Sequence, residues 1–222
     1  VVCGDDVYGG TYRLFDKVLR AWGVHFSYAD FSRVPPSEAI PEGTTLVWLE
    51  TPTNPLLKVS DIAAVCARAR AVGAKVVVDN TFTTPVFQWP LALGADFVMH
   101  STTKYLNGHS DVVGGAVVAK SAEDLQQLAW WANCLGITGS AFDSFLTLRG
   151  MRTLHARMDI HERNSRELAQ WLAAQPGVAR VFYPGLATHP GHALAARQQR
   201  GFGAIVSLEL EGGTPAVRKF VA

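Results

Sequence analysis

Cysteine is scarce in this sequence, and its pattern excludes two classes of protein. The three cysteines, Cys3, Cys66 and Cys134, are scattered, and no two of them have the Cys-x-x-Cys spacing of a zinc site. Their odd number and wide separation also argue against a disulfide framework. We therefore expect buried free thiols in a cytoplasmic protein.

Charge and long apolar runs are also limited. Charged residues make up 18% of the chain, the net charge is +1, and no basic block is present, so a dedicated nucleic-acid binder is not expected. No signal peptide is visible, and no apolar run approaches the roughly 18 residues that a membrane span needs. The 222 residues are 48% hydrophobic, which is ample for a packed core and suggests surface shared with other subunits.

Several catalytic signatures are missing as well. The stretch from Gly108 to Gly115 is not a Gly-x-Gly-x-x-Gly fingerprint, which gives a nicotinamide site little support. Asp6, His100 and Ser101 do not form a hydrolase triad pattern. The histidines at 100, 109 and 155 lack metal-ligand spacing to Cys or Glu, so no metal site is predicted.

What the chain does have is an alternation of short apolar runs and helical patterns. Strands are predicted at 24–28, 45–49, 75–78, 96–99 and 112–118, and helices at 12–22, 62–72, 121–131 and 142–175, the last interrupted only at Gly150. The mostly apolar strands favour an α/β fold with a mostly parallel sheet covered by helices. Strands at 178–183 and 204–210 then predict the start of a smaller α+β domain, with domains at 1–150 and 151–222.

The most informative segment is the stretch His100–Asp111, which contains Lys104. Ser101 and Thr103 place hydroxyls beside this amine at the end of the fourth strand, where hydroxyls and backbone N–H groups can hold a phosphate. A desolvated amine would also be a good nucleophile. Taken alone, Lys104 would be a solvated surface lysine.

Asp79 directly follows the apolar strand 75–78, 25 positions before Lys104. A carboxylate at that end of a buried strand points to the crevice where open α/β sheets bind ligands. It could pair with a protonated pyridine nitrogen, or it could simply start a loop or cap a helix. Together with Lys104 and the two hydroxyls, it supplies the parts of a pyridoxal phosphate (PLP) site.

Two further segments carry candidate cofactor contacts. Tyr8 precedes Gly9-Gly10, which allow close approach of the backbone to a ligand, so its ring could stack on a planar cofactor. Asn54 lies on a loop stiffened by two prolines and could donate a hydrogen bond to a phenolate oxygen. Each segment alone is also typical of an ordinary turn.

With these segments together, the chain resembles the Cys/Met-metabolism (trans-sulfuration) family of PLP enzymes. The resemblance rests on residues 5–11, 50–55, 78–82 and 101–111 and runs through essentially the whole chain. It implies the aspartate aminotransferase type I fold. It also implies that Lys104 forms a Schiff base with PLP, that Asp79 pairs with the pyridine nitrogen and that Tyr8 stacks on the ring. Ser101 and Thr103 would hold the phosphate, and Asn54 would contact the ring oxygen.

Residues 128–133, 138–144 and 196–204 are most similar to the cystathionine γ-synthase branch of that family. This similarity implies γ-replacement, in which O-succinyl-L-homoserine and L-cysteine give L-cystathionine and succinate. Lys104 would move the protons, Tyr8 would help to shuttle them, and a homotetramer of dimers with shared active sites is expected. The alternatives are a lyase or an acylhomoserine sulfhydrylase of the same family, or a non-catalytic α/β module.

Both ends of the sequence look cut, since it begins within a strand pattern and ends within a helix pattern. The family's N-terminal Tyr and Arg, its Gly-Met pair and its C-terminal carboxylate-binding Arg have no assignable counterpart here. The chain by itself is therefore expected to bind PLP poorly and to turn over little.

Overall fold

The computed structural model describes residues 1–222 and contains a six-stranded sheet with strand order β2-β1-β3-β4-β5-β6. Neighbouring strands are parallel except β6, which runs antiparallel to β5. The strands of this sheet are β1 (Val2–Gly4), β2 (Ser27–Ala29), β3 (Leu46–Glu50), β4 (Lys75–Asp79), β5 (Phe97–Ser101) and β6 (Gly115–Ala119).

Helices connect these strands and continue beyond them. They are α1 (Gly9–Arg13, extended by a π-helical turn Leu14–Leu19 and a 3₁₀ turn Arg20–Trp22), α2 (Pro36–Ala39), α3 (Ile62–Ala71), α4 (Thr84–Phe87), α5 (Ala122–Leu135), α6 (Ala141–Met151), α7 (Leu154–Ala173), α8 (His192–Gln198) and α9 (Gly213–Val221). None of them has both the length and the apolarity that crossing a bilayer requires.

The largest core lies between the sheet and α3. Alternate residues of β3 and β4, including Val47, Leu49, Val76 and Val78, are buried against the apolar face of α3. The opposite face of the sheet carries Trp48, which contacts a smaller cluster around the π-helical turn. The central strands are apolar on both faces because helical segments cover each side.

The predicted fold class is confirmed, and so are most of the elements. Ser121 caps α5 by accepting a hydrogen bond from the Asp124 N–H, and Gly73, with φ of +75°, follows the end of α3. β2 begins only at Ser27, and β6 excludes residues 112–113, which stay in the loop. The short helices α2, α4 and α8 were not predicted.

The prediction of one helical stretch over 142–175, broken only at Gly150, was wrong. Gly150 lies inside α6, and the break comes at residues 152–153. The absence of a side chain at Gly150 allows α6 to come into close contact with the Asn107 backbone. Cys134 also departs from expectation, because it is exposed on α5 whereas Cys3 and Cys66 are buried.

A second, two-stranded antiparallel sheet follows α7 and contains β7 (Val178–Phe182) and β8 (Ser207–Leu210). The second of these strands is shorter than predicted, because residues 204–206 do not join it. The two sheets are separate, which is compatible with domains at 1–150 and 151–222, and that division stays a prediction. The position 150 falls in the last turn of α6.

Candidate active site

Polar side chains meet where three neighbouring parallel strands end. Glu50 is the last residue of β3, Asp79 the last of β4 and Ser101 the last of β5. Glu50 is paired in register with Asp79, and Asp79 with Met99, two residues before Ser101. Because side chains alternate along a strand, the three end residues share one face of the sheet. That face and edge form the crevice in which open α/β sheets bind ligands.

Asp79 is buried and has one oxygen available. The backbone N–H and the hydroxyl of Thr81 both donate to Asp79 Oδ1, at 3.0 and 2.6 Å. Oδ2 accepts no hydrogen bond from the chain. Burial raises the pKa of Asp79, although the Thr81 hydrogen bonds oppose this. A cationic N–H partner at Oδ2 would oppose this rise in pKa by favouring the charged carboxylate.

A chain of hydrogen bonds connects Asp79 to the segment that carries Lys104. The Ser101 N–H donates to Thr81 Oγ1 (2.8 Å), so Thr81 links the ends of β4 and β5. The Lys104 N–H in turn donates to the Ser101 carbonyl (3.2 Å), and the Gly108 N–H to the Lys104 carbonyl (2.8 Å). Lys104 therefore sits on a tight turn directly after β5.

The side chain of Lys104 is exposed, and its Nζ makes no hydrogen bond or ion pair within the chain. The expected desolvation of this amine is thus not provided by residues 1–222 in this structure. The amine is instead unengaged and free to react with a ligand carbonyl.

The two candidate phosphate hydroxyls differ. Ser101 is half-buried, and its hydroxyl has no partner in the chain. The Thr103 hydroxyl exchanges hydrogen bonds with the backbone of Gly114, accepting from its N–H at 3.0 Å and donating to its carbonyl at 3.3 Å. Thr103 would have to release one of these bonds to donate to a phosphate.

Tyr8 and Asn54 lie on two loops that are joined to each other. The Tyr8 N–H donates to Glu50 Oε2 (2.9 Å), and the Tyr8 ring lies so close over Gly10 that any side chain there would displace it. Asp6 accepts hydrogen bonds from the Thr53 hydroxyl and from the Leu56 N–H. These hydrogen bonds join the loop that carries Tyr8 to the loop that carries Asn54.

Lys58 makes a further link between these loops, with ion pairs of 2.8 Å to Asp5 and to Asp30. The Asn54 side chain is half-buried and makes no hydrogen bond of its own. The amide that was predicted to contact the ring oxygen is therefore not committed to another partner.

A cavity of about 640 Å³ lies beside Lys104. Thr103, Lys104, Tyr105, Arg157 and His161 are among its lining residues, but Tyr8, Asn54 and Asp79 are not. The cavity therefore extends from the amine toward α7. It offers space for a molecule that reacts at Lys104.

Arg157 of α7 holds the Lys104 turn in place through hydrogen bonds. Its guanidinium donates to the carbonyls of Tyr105 (2.9 Å) and Gly150 (2.8 Å) and to the Thr153 hydroxyl (3.1 Å). Burial lowers the pKa of Arg157, whose charge is stabilised only by neutral acceptors.

Sequence reasoning overlooked three residues of this site, namely Glu50, Thr81 and Arg157. Glu50 carries the same signal as Asp79, because it is also a carboxylate that ends an apolar strand. Thr81 is visible as Asp-x-Thr, a pattern in which the acidic side chain hydrogen-bonds two residues on. Nothing in the local sequence of Arg157 reveals its contacts with residue 105.

These residues fit a PLP cofactor. The chain provides an exposed amine, a carboxylate oxygen without a partner, an unengaged serine hydroxyl and an exposed aromatic ring, which are the groups that such a cofactor needs. Fold and site together define a PLP-dependent enzyme of the mostly parallel α/β class. The chain belongs to the Cys/Met metabolism PLP-dependent enzyme family, whose model matches residues 1–222.

Individual relatives agree with this assignment. The chain is 50% identical over its full length to cystathionine γ-synthase of Escherichia coli (strain K12) and 47% identical to cystathionine γ-lyase of Dictyostelium discoideum. A crystal structure of cystathionine γ-synthase from Xanthomonas oryzae pv. oryzae, in complex with cystathionine, superimposes with a TM-score of 0.95 at 56% identity over 99% of the chain. The chain spans 58% of the E. coli protein and 57% of the Xanthomonas chain.

Proposed function

We propose that the protein carrying this chain catalyses γ-replacement, in which O-succinyl-L-homoserine and L-cysteine give L-cystathionine and succinate. The observation that carries this choice is the 50–56% identity to proteins named cystathionine γ-synthase. One structure of the Xanthomonas protein is described as holding cystathionine, and another as holding aminoacrylate and cysteine.

Each candidate residue has a role in holding the cofactor. Lys104 Nζ would attach to it covalently, and Asp79 Oδ2 would accept the pyridine N–H. The Ser101 and Thr103 hydroxyls would donate to the phosphate, Tyr8 would stack on the ring, and Asn54 would contact the ring oxygen. The unengaged Asp79 oxygen, Ser101 hydroxyl and Asn54 amide support this arrangement.

The bound cofactor would supply an electron sink for the charge that develops at the substrate Cα. Asp79 would keep the ring nitrogen protonated, which maintains that sink. When the substrate amine takes the place of Lys104, Nζ would be free to remove the Cα proton. A Cβ proton is lost next, and succinate leaves with the electron pair of the Cγ–O bond. The cysteine thiolate then bonds to Cγ while a proton returns to Cβ. Lys104 would finally return a proton to Cα, with Tyr8 assisting the transfers.

A lyase of the same family is the second candidate. Cystathionine γ-lyase of Dictyostelium and cystathionine β-lyase of Coxiella burnetii are 47% and 48% identical to the chain. The cofactor residues do not separate these activities, because both begin with removal of the same Cα proton.

Product analysis of the full-length protein would distinguish the candidates. With O-succinylhomoserine and cysteine, we expect cystathionine and succinate to form in equal amounts. With cystathionine alone, we expect little cleavage. Cleavage of cystathionine faster than its synthesis would favour the lyase.

The covalent role of Lys104 has its own test. Borohydride reduction of the cofactor-loaded protein should remove the visible absorbance of the cofactor. It should also leave the cofactor permanently attached to Lys104. Lys104→Ala should lower turnover by at least about 10³-fold, in the range expected for loss of a general acid–base residue. Lys120→Ala, an exposed lysine outside the site, is the control. Near-normal turnover in Lys104→Ala would contradict the proposal.

We also propose that the protein acts on amino-acid substrates as a cytoplasmic homotetramer. Support comes from a set of large apolar side chains left exposed on α5, on α6 and in the turn between them: Leu125, Trp130, Trp131, Leu135, Ile137, Phe142, Phe145 and Leu148. An exposed apolar surface of this kind is typical of a subunit interface.

A further inference from the structure

Glu50 occupies a central position in the site without an assigned role. Its side chain is buried, with 6% of the residue exposed, and it stands beside Asp79 on the neighbouring strand. Its Oε2 accepts the Tyr8 N–H at 2.9 Å. Glu50 also immediately precedes the loop that carries Asn54.

The charge environment of Glu50 is unfavourable for an ionised carboxylate. The pKa of Glu50 is raised to about 8. Burial is the largest cause, the charge of the neighbouring Asp79 is the next, and Asp6 adds to the rise. The backbone N–H groups of Tyr8 and, to a smaller extent, Asn54 lower the pKa. Cys3 on β1 faces Glu50 as well, and its own pKa is raised to about 12 by burial and by Glu50. No cation pairs with Glu50, so backbone N–H groups are its polar partners.

Other links between the two loops lie farther out. Lys58 pairs with Asp5 and Asp30 in half-exposed positions, and Asp6 bonds to Thr53 and Leu56 near the surface. Glu50 is the linking side chain that lies within the crevice. Its bond is to Tyr8 itself, at the point where α1 begins.

We propose that Glu50 is a positioning residue, which holds the start of α1 so that the Tyr8 ring stays over the cofactor crevice beside the Asn54 loop. This inference rests on the proposed function, because it takes Tyr8 and Asn54 as cofactor contacts. Glu50 itself acts through the backbone and does not touch the reacting atoms.

The test compares Glu50→Leu and Glu50→Gln in the full-length protein. In Glu50→Leu the Tyr8 N–H loses its acceptor, so amide hydrogen exchange at Tyr8 should accelerate by about tenfold. The dissociation constant for PLP should rise by about tenfold, equivalent to about 1.4 kcal/mol. Glu50→Gln retains an acceptor oxygen and should stay within about threefold of wild type in both measurements.

Asp96→Leu is the matched control. Asp96 also accepts a backbone N–H, that of Val76 at 2.8 Å, but lies at the opposite end of the sheet. Exchange at Val76 should accelerate in this variant, while PLP affinity should not change. If Glu50→Leu does not fold, Glu50→Asp replaces it, because its shorter side chain withdraws the carboxylate from the Tyr8 N–H and should give the same losses.

The outcomes separate this inference from the proposed function. Unchanged Tyr8 exchange, or faster exchange with unchanged PLP affinity, would overturn the positioning role while wild type still binds PLP. Equal losses in Glu50→Gln and Glu50→Leu would overturn it too, since the charge and not the hydrogen bond would then matter. Failure of wild type to bind PLP would refute the proposed function, and this inference with it.

Discussion

Single residues at this site are defined by how their polar atoms are paired. Asp79 has one oxygen engaged by Thr81 and one without a partner, and Glu50 is engaged by the Tyr8 N–H. Burial raises the pKa of both carboxyl groups. A buried carboxylate without a cation is costly, and a protonated pyridine ring would supply that cation to Asp79.

Replacing Asp79 by alanine should weaken PLP retention. Loss of a charge-assisted hydrogen bond costs about 1.5–3 kcal/mol, so the dissociation constant should rise by roughly 10- to 100-fold. Thr81→Val keeps the carboxylate but removes one hydrogen bond to Asp79 and the acceptor of the Ser101 N–H, and its effect should be smaller. Equilibrium dialysis with absorbance detection measures both. Unchanged retention in Asp79→Ala would count against its assigned role.

The titration of Glu50 predicts a pH dependence of stability. Its folded pKa of about 8 lies above the ordinary value of 4.5, so its contribution to stability is full below pH 4.5 and is lost as the pH rises through 8. Glu50→Gln cannot ionise and should escape this loss. Urea unfolding of the cofactor-free protein at about pH 5 and about pH 9 should therefore show a smaller decrease in Glu50→Gln than in wild type. Groups that do not face Glu50 titrate equally in both proteins, so parallel curves would contradict the prediction.

At the scale of elements, the Lys104 turn depends on the junction of α6 and α7. Arg157 donates to the Tyr105 carbonyl on the turn and to the Gly150 carbonyl on α6. Gly150 lies directly against the Asn107 backbone. The turn is thus fixed by residues more than 40 positions away in the sequence.

Gly150→Ala should destabilise the protein, although alanine normally favours a helix. The added methyl group would overlap the Asn107 backbone, and overpacking of this kind costs about 1–3 kcal/mol. Gly9→Ala, where an added methyl group meets nothing within 4 Å, is the control and should be neutral or slightly stabilising. Thermal unfolding reports the difference. Equal melting temperatures for the two variants would refute the predicted contact.

The elements also show where sequence reasoning works. β4 was predicted to within one residue because Val76, Val77 and Val78 form an apolar run buried on both faces of the sheet. The start of α5 was predicted to within one residue because Ser121 is a helix cap, but the helix ends at Leu135 and not at the predicted 131. The break between α6 and α7 was missed because Arg152 and Thr153 carry no helix-stop signal. Gly150 resembles a helix-stop signal in the sequence, but it lies within α6 and contacts the Asn107 backbone.

At the scale of the whole molecule, α5 and α6 carry large apolar side chains that residues 1–222 leave exposed. Trp130 and Trp131 have 60% and 55% of their surface exposed. Cys134, which follows them on α5, is also exposed. Residues 1–222 leave these side chains uncovered, and the proposed association of subunits would bury them.

Trp131→Glu should therefore lower the molar mass of the full-length protein, measured by size exclusion with light scattering. A charge placed in an apolar interface costs several kcal/mol unless it is paired. Trp171→Glu, on α7 with a similar exposed fraction of 59%, is the control and should keep the wild-type mass. An unchanged mass for Trp131→Glu would show that this face is not the interface.

The sequence by itself determined the α/β class, most strand and helix positions and the segments that carry Lys104, Asp79, Tyr8 and Asn54. It could do so because apolar periodicity, caps and short motifs are local properties of the chain. Only the tertiary structure decided that Glu50 bonds to Tyr8, that Thr81 links Asp79 to Ser101, and that the Thr103 hydroxyl is held by Gly114. These contacts depend on strand register and on loops that meet only when the chain is folded, and no local pattern encodes such meetings.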